Sequence, residues 1–85
     1  MAKYSVFITK QVQKQLSKLP NSIAEKLEIK MLELEDDPLP ANCKKLKGRE
    51  AYRIRAGNYR FIYEIQNSVL IIIVIKVGHR KSIYK

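Results

Sequence analysis

Three arginines flank a predicted tight turn, Arg53 and Arg55 before Gly57-Asn58 and Arg60 after it. If this two-residue turn joins antiparallel strands, Arg55 pairs with Arg60 and the three guanidinium groups share one face of a sheet. Like charges that face each other destabilise a strand pair, whereas guanidinium groups bind phosphate oxygens through paired hydrogen bonds. The cluster therefore predicts an anion-binding site.

The charge of the chain is concentrated in its second half. Residues 1–40 contain six lysines and six acidic residues, which cancel, whereas residues 41–85 contain eleven Lys or Arg and two acidic residues. The whole formal charge of +9 therefore belongs to the second half, together with all five arginines. Segregated positive charge is typical of a protein that binds a polyanion.

Residues 52–56 and 59–65 are predicted to form a hairpin whose two faces differ in chemistry. A two-residue turn of the II′ kind pairs Ala56 with Tyr59, and alternation then assigns every side chain to a face. One face is aromatic and aliphatic and should lie toward the core; it carries Tyr52, Ile54, Phe61 and Tyr63. The other carries Arg53, Arg55, Arg60, Ile62 and Glu64.

The elements that position this hairpin are predicted from periodicity. "KYSVFIT" alternates as a strand, Thr9 can cap a helix that ends at Pro20, and Ser22 with Glu25 fits a capping box for a second helix to about Asp36. "DDPLPANCKKLKG" is interpreted as a connection anchored by Leu46, and a final strand at about 69–77 is apolar enough to be buried on both faces. The order β-α-α-β-β-β predicts an α+β domain, with a helical hairpin on one face of a four-stranded, mostly antiparallel sheet.

Length and composition limit the class of protein further. Eighty-five residues form a single domain, 1–85, and the longest apolar run is too short for a membrane helix. The N-terminus lacks an apolar stretch of signal-peptide length, so a cytoplasmic location is expected. A lone cysteine, Cys43, and a lone histidine, His79, exclude an internal disulfide and favour a protein without a metal site or cofactor.

Three segments together resemble a known protein family. "KLKG" at 45–48, "YRIRAGNYRFIYEI" at 52–65 and "VGHRKSIYK" at 77–85 are similar to the RelE/ParE superfamily of bacterial and archaeal toxins, and closer to its RelE branch. The resemblance covers essentially the whole chain. It implies a ribosome-dependent endonuclease that cuts messenger RNA in the A site without a metal, using the 2′-hydroxyl of the RNA as nucleophile. It also implies a cognate antitoxin that holds the toxin inactive, and we expect the free toxin to be a monomer.

The resemblance also implies roles for individual residues. Arg60 and Arg80 match arginines of the family and should hold the scissile phosphate, and Tyr84 matches the family's C-terminal tyrosine and would stack on a base or help position the 2′-hydroxyl. Arg53 and Arg55 stand where well-known members have lysines and would orient the RNA backbone. Further contacts to RNA or the ribosome are predicted for Lys44, Lys45, Lys47 and Lys81.

The replacement of lysine by arginine affects the proton chemistry. Arginine does not lose its proton in proteins, so neither Arg53 nor Arg55 can act as a general base. Tyr84, His79 and Glu64 are the candidates that remain, with His79 preferred as the general acid because it titrates nearest to neutral pH.

Two other functions are compatible with the same pattern. A ParE-like toxin shares the fold but inhibits DNA gyrase and cleaves no RNA. A non-catalytic RNA-binding module would use tyrosines and arginines on a sheet as a stacking platform. The second alternative is disfavoured because Tyr52 and Tyr63 are predicted to face the core.

Overall fold

In the part of the chain that the structure describes, five strands form one mixed sheet and two helices cover one of its faces. The computed structural model describes residues 3–48 and 50–79. Along this part of the chain the elements are β1 (Ser5–Ile8), α1 (Lys10–Ser17), α2 (Asn21–Glu33), β2 (Cys43–Lys45), β3 (Ala51–Ala56), β4 (Tyr59–Gln66) and β5 (Ile71–His79). Among these described strands the sheet order is β1-β5-β4-β3-β2, and only the β1–β5 pair is parallel. The predicted α+β class, with a helical hairpin on a mostly antiparallel sheet, is confirmed.

The number of strands was predicted wrongly, because β2 lies inside the segment interpreted as a connection. Cys43 pairs with Ile54 and Lys45 with Tyr52, so this three-residue strand extends the sheet beyond β3. A short strand with two lysines at a sheet edge has no apolar alternation that a sequence pattern could detect.

The main core lies between the helices and the sheet. Val12 and Leu16 of α1 and Leu27 and Met31 of α2 are buried against strand residues that include Phe61. This burial excludes water from the apolar side of both helices and is the main force that holds them on the sheet. Within the described residues, no helix is long and apolar enough to cross a membrane.

The helix starts show one confirmed cap and one wrong prediction. Thr9 is the N-cap of α1, and its hydroxyl accepts a hydrogen bond from the Val12 amide at 3.2 Å. No capping box forms at α2, which begins at Asn21 after Pro20 and has no side-chain cap bond. Ser22 therefore lies inside the first turn, two positions after the N-cap residue Pro20, and cannot cap the helix.

The last strand differs from its prediction in its start and its burial. It begins at Ile71, because Val69 and Leu70 form a turn in which Leu70 has a φ of +54°. It lies inside the sheet, between β1 and β4, as expected for an apolar strand. Ile72, Val74 and Val77 are buried under the helices, but Ile71, Ile73 and Ile75 on the other face are only half-buried, because neither of the two described helices covers that face.

Candidate functional site

The face of the sheet opposite the helices is here called the open face. The β3–β4 hairpin that forms its centre has the predicted register, with Arg55 opposite Arg60 and Tyr52 opposite Tyr63. Gly57 has a φ of +62°, a conformation that glycine adopts at little cost, whereas Asn58 does not have a positive φ. This pattern agrees with the predicted turn of the II′ kind.

Two neighbouring rows of paired residues bring five cations onto the open face. The first row runs across four strands through Lys44, Arg53, Ile62 and Lys76. The second row contains Arg55, Arg60 and Gly78. The five cations are called the cationic face: Lys44, Arg53, Arg55, Arg60 and Lys76.

A shallow concavity of about 550 Å³ lies over four members of the cationic face. It is lined by Asn42, Gly57 and four charged residues, which are Lys44, Arg53, Arg55 and Arg60. Lys44 and Arg55 are exposed, whereas Arg53 and Arg60 are partly buried. Partial burial limits screening by water and salt, so an anion in this concavity interacts more strongly than one at a fully exposed surface.

The core beneath the cationic face is tightly packed. Phe61 and Tyr63 are fully buried, and the Tyr63 ring stacks on Tyr52 with centroids 5.8 Å apart. The Tyr63 hydroxyl donates a 2.7 Å hydrogen bond to the Pro38 carbonyl, which ties the segment before β2 to β4. Burial, with a smaller contribution from Cys43, raises the pKa of the Tyr63 phenol well above its usual value.

A small apolar cluster stiffens the open face itself. Ala51 and Ile62 are buried there, and Leu46 and Ile75 pack against them. Leu46 therefore does anchor the segment after β2, as predicted, but to the open face rather than to the main core.

The two adjacent lysines of β2 lie on opposite faces. Lys44 pairs with Arg53 and shares the open face, whereas Lys45 pairs with Tyr52 on the helix face. The Lys45 ammonium is 3.2 Å from a Glu50 carboxylate oxygen. Lys47 lies in an exposed turn after the strand. Of these three predicted RNA-binding lysines, the sheet therefore brings only Lys44 to the cationic face.

His79 is separated from the arginines by the sheet. It pairs with Tyr59, and its ring meets the Tyr59 ring edge-on at 5.6 Å. Tyr59 packs against the main core, so both rings are on the helix face. Glu64 does lie on the open face, opposite Ala51 and Ile73, but it is four residues along β4 from Arg60. The other predicted site residues, Arg80, Lys81 and Tyr84, lie outside the described residues.

Lys76 is the member of the cationic face that sequence reasoning missed. In a regular strand it would share the face of Val74, but a β-bulge in β5 turns it to the other side. Val74 and Val77 are both buried although three positions separate them, and this spacing in "VIKV" is the signal that sequence reasoning did not use.

Comparison with known proteins places this geometry in a family. Residues 6–84 match the family described as ParE toxin of type II toxin-antitoxin system, parDE. The chain is 37% identical to the protein named RelE1 of Methanocaldococcus jannaschii, over 98% of this chain and 97% of that protein. It is 36% identical to Toxin RelE3 of the same organism, over 93% of each chain.

A solved structure agrees with these relatives in fold. The archaeal RelE in the RelE–RelB complex of Pyrococcus horikoshii superimposes with a TM-score of 0.84 at 33% identity, over 96% of this chain and 99% of that one. Sequence and fold thus agree along nearly the whole chain. The protein is a member of the RelE/ParE toxin superfamily of type II toxin-antitoxin systems.

Proposed function

We propose that this toxin cuts messenger RNA in the ribosomal A site and so stops translation. The observation that carries the proposal is the cationic face, where two rows of a packed sheet hold five side chains able to bind phosphate. Arginine forks and lysine ammonium groups suit the RNA backbone, and a rigid support beneath them keeps the geometry fixed.

The proposed reaction is an internal transesterification. The 2′-oxygen of the RNA forms a bond to the adjacent phosphorus, and the bond from phosphorus to the 5′-oxygen of the next nucleotide breaks. The 2′-hydroxyl loses a proton, the leaving 5′-oxygen gains one, and the product ends in a 2′,3′-cyclic phosphate. These bond changes and proton transfers require no metal or other cofactor.

Arg60 has the central role in this scheme. It lies between Arg55 and Gly78 in the second row, where its guanidinium can hold the scissile phosphate and stabilise the charge that develops on it. Arg80 is proposed to share this role, while Arg53 and Arg55 align the backbone and Tyr84 holds the reacting nucleotide.

Proton transfer has fewer candidates than charge stabilisation. The arginines cannot accept a proton, His79 lies against Tyr59 on the helix face, and Glu64 is roughly 13 Å along the strand from Arg60 at about 3.3 Å per residue. We therefore propose that orientation and electrostatic stabilisation supply most of the acceleration, with Tyr84 as the remaining candidate for proton transfer.

A cognate antitoxin is the second proposed partner. The structure from Pyrococcus horikoshii is a complex of RelE with RelB, and an equivalent partner of this chain would have to neutralise the cationic face. An acidic segment meets that requirement, and its binding would exclude RNA from the same surface.

Inhibition of DNA gyrase is the alternative function. It is favoured by the family match, which is to the ParE toxin description. The two functions are distinguished by target: a gyrase inhibitor leaves messenger RNA intact and produces gyrase-dependent DNA breaks.

Primer extension on a defined message in a reconstituted translation system tests the proposal. We expect cuts within the A-site codon only when ribosomes are present. Intact message, together with inhibition of supercoiling by purified gyrase, would establish the alternative.

Substitution of Arg60 tests the role of the cationic face. We expect Arg60→Ala to lower the single-turnover cleavage rate by roughly 10²- to 10³-fold, the effect typical of removing one oxyanion-stabilising group. Lys14→Ala on the exposed surface of α1 is the matched control and should cleave at the original rate. Full activity of a folded Arg60→Ala variant would contradict the proposed phosphate contact.

A further inference from the structure

Lys76 owes its position to an irregularity between the last two strands of the sheet. Ile62 pairs with Lys76, but the next residue of β4, Tyr63, pairs with Val74, so Ile75 is the extra residue of a β-bulge. Burial shows the same shift, because Val74 and Val77 are 0% and 2% exposed and both belong to the main core. The two intervening side chains, Ile75 and Lys76, therefore both lie on the open face.

The bulge places Lys76 at one side of the cationic face. Lys44 on β2 and Lys76 on β5 are the two ends of the first row, with Arg53 and Ile62 between them. Lys76 is also the diagonal neighbour of Arg60, and such neighbours in antiparallel sheets lie roughly 7–8 Å apart. Gly78, directly opposite Arg60, has no side chain that would separate the two cations.

The aliphatic part of Lys76 has apolar neighbours on the open face. The residue is only partly exposed, and its neighbours on the open face include Ile62 and Ile75, which pack together. A lysine in such a place lays its aliphatic stem on the apolar surface and presents its charge at the edge. Arg60 lies on the same face of the sheet as Lys76.

We propose that Lys76 binds a backbone phosphate of the substrate RNA next to the phosphate held by Arg60. The inference rests on the proposed nuclease function and deepens it, because it assigns the direction in which RNA crosses the sheet. Cations along this row would hold phosphates of one RNA strand as it crosses the sheet from β2 toward β5. Lysine suits this task because its ammonium is a compact point charge that does not require a bidentate fit.

The first test compares Lys76→Gln with the original chain in single-turnover cleavage on programmed ribosomes. We expect the toxin concentration for half-maximal rate to rise roughly tenfold, as for loss of one charged hydrogen bond, with a smaller change in the saturating rate. The slope of log affinity against log salt should decrease by about 0.7, the contribution of one phosphate contact to single-stranded nucleic acid. Lys76→Arg should restore cleavage to within about twofold, because it keeps the charge.

Lys26→Gln is the matched control, since it removes one lysine from the exposed surface of α2 and should cleave like the original chain. Urea denaturation of each variant separates a folding defect from a binding defect. If Lys76→Gln is folded and its concentration and salt dependence are unchanged, the inference is overturned while the nuclease function stands. If the original chain leaves the message intact on ribosomes, the nuclease function fails and the inference fails with it.

A modified message distinguishes a contact with substrate RNA from a contact with ribosomal RNA. One phosphate beside the cleavage site is replaced by a neutral methylphosphonate on a 2′-deoxy sugar, and the control message carries the same sugar with an ordinary phosphate. When the modified phosphate is the one that Lys76 contacts, the original chain should bind the modified message more weakly than the control message. Lys76→Gln should bind the two messages equally, because this contact is already absent. If the defect of Lys76→Gln persists in full at every modified position, Lys76 does not contact the message and the inference is overturned.

Discussion

At the scale of the residue, arginine determines what the cationic face can do. Arg53, Arg55 and Arg60 stay charged at every relevant pH and bind phosphate with a planar fork, but they accept no proton. A site built in this way orients its ligand and stabilises negative charge. The same residues therefore suit a clamp for RNA phosphate better than a proton relay.

Ionisation of Tyr63, in the core beneath the cationic face, makes the stability of the fold depend on pH. The folded protein buries its phenol and raises its pKa, so the folded state holds this proton more tightly than the unfolded state. The resulting stabilisation is complete below about pH 10, the ordinary pKa of tyrosine, and is lost as the pH rises above it.

We expect Tyr63→Phe to reduce the dependence of unfolding free energy on alkaline pH. Between pH 10 and 11 the original chain should lose up to about 1.4 kcal/mol more per pH unit than the variant. Near pH 7 the variant should be less stable by about 1 kcal/mol, because the hydrogen bond to the Pro38 carbonyl is lost. Urea denaturation at several pH values measures both effects, with Tyr4→Phe as a control at an exposed hydrogen bond. Equal slopes for Tyr63→Phe and the original chain would contradict the assignment.

At the scale of the element, strand alternation decides which charges belong to the site. Lys44 and Lys45 are neighbours in sequence, but the pleat of β2 sends Lys44 to the arginines and Lys45 toward Glu50. The β5 bulge has the opposite effect, because it brings Lys76 to the open face, whereas regular alternation would place it on the helix face.

A pair of single substitutions tests the alternation of β2. We expect Lys44→Gln to raise the toxin concentration for half-maximal cleavage severalfold, because one cation is removed from the concavity. Lys45→Gln should leave cleavage unchanged, and loss of its exposed ion pair with Glu50 should change stability by less than about 1 kcal/mol. Equal defects in the two variants, both folded, would show that the strand does not separate the two lysines in function.

The two edge strands, β1 and β2, each have a feature that limits pairing with a further strand. The Tyr4 amide donates to the Glu35 carbonyl at 3.0 Å, and the Ile8 carbonyl accepts from the Gln13 side chain at 3.1 Å. These bonds occupy both ends of the outer side of β1, and β2 at the opposite edge is three residues long. Both features limit strand addition, so the open face offers a partner more binding surface than the edges do.

At the scale of the whole molecule, charge is separated between the first 40 residues and the rest of the chain, which contains β2 to β5. The first 40 residues, which contain both helices, have no net charge, and the formal charge of +9 belongs to the residues that follow. A field with this asymmetry attracts a polyanion toward one side of the protein and speeds its encounter.

Two double variants with the same net charge test whether the location of charge matters. Arg53→Gln with Arg60→Gln and Lys14→Gln with Lys26→Gln each lower the formal charge from +9 to +7. We expect only the arginine pair to elute from heparin at clearly lower salt, because its charges converge on one concavity. Equal elution would indicate that total charge, rather than the cationic face, determines polyanion binding.

The sequence by itself was enough to predict the hairpin and its two faces. The register of the hairpin follows from a two-residue turn. Alternation then places Ile54 and Phe61 in the core, and Arg53 and Arg55 on the other face of the sheet. These features depend on neighbours along the chain, and so local patterns determine them.

The tertiary structure alone decided the outer parts of the site. Lys44 joins the cationic face only because β2 pairs with β3, Lys76 joins it only through a bulge against β4, and His79 is excluded from it by its pairing with Tyr59. Each of these outcomes depends on a strand distant in sequence or on a one-residue shift in register. A one-residue shift moves a side chain to the other face, so the pairing of the strands, and not regular alternation within one of them, determined these positions.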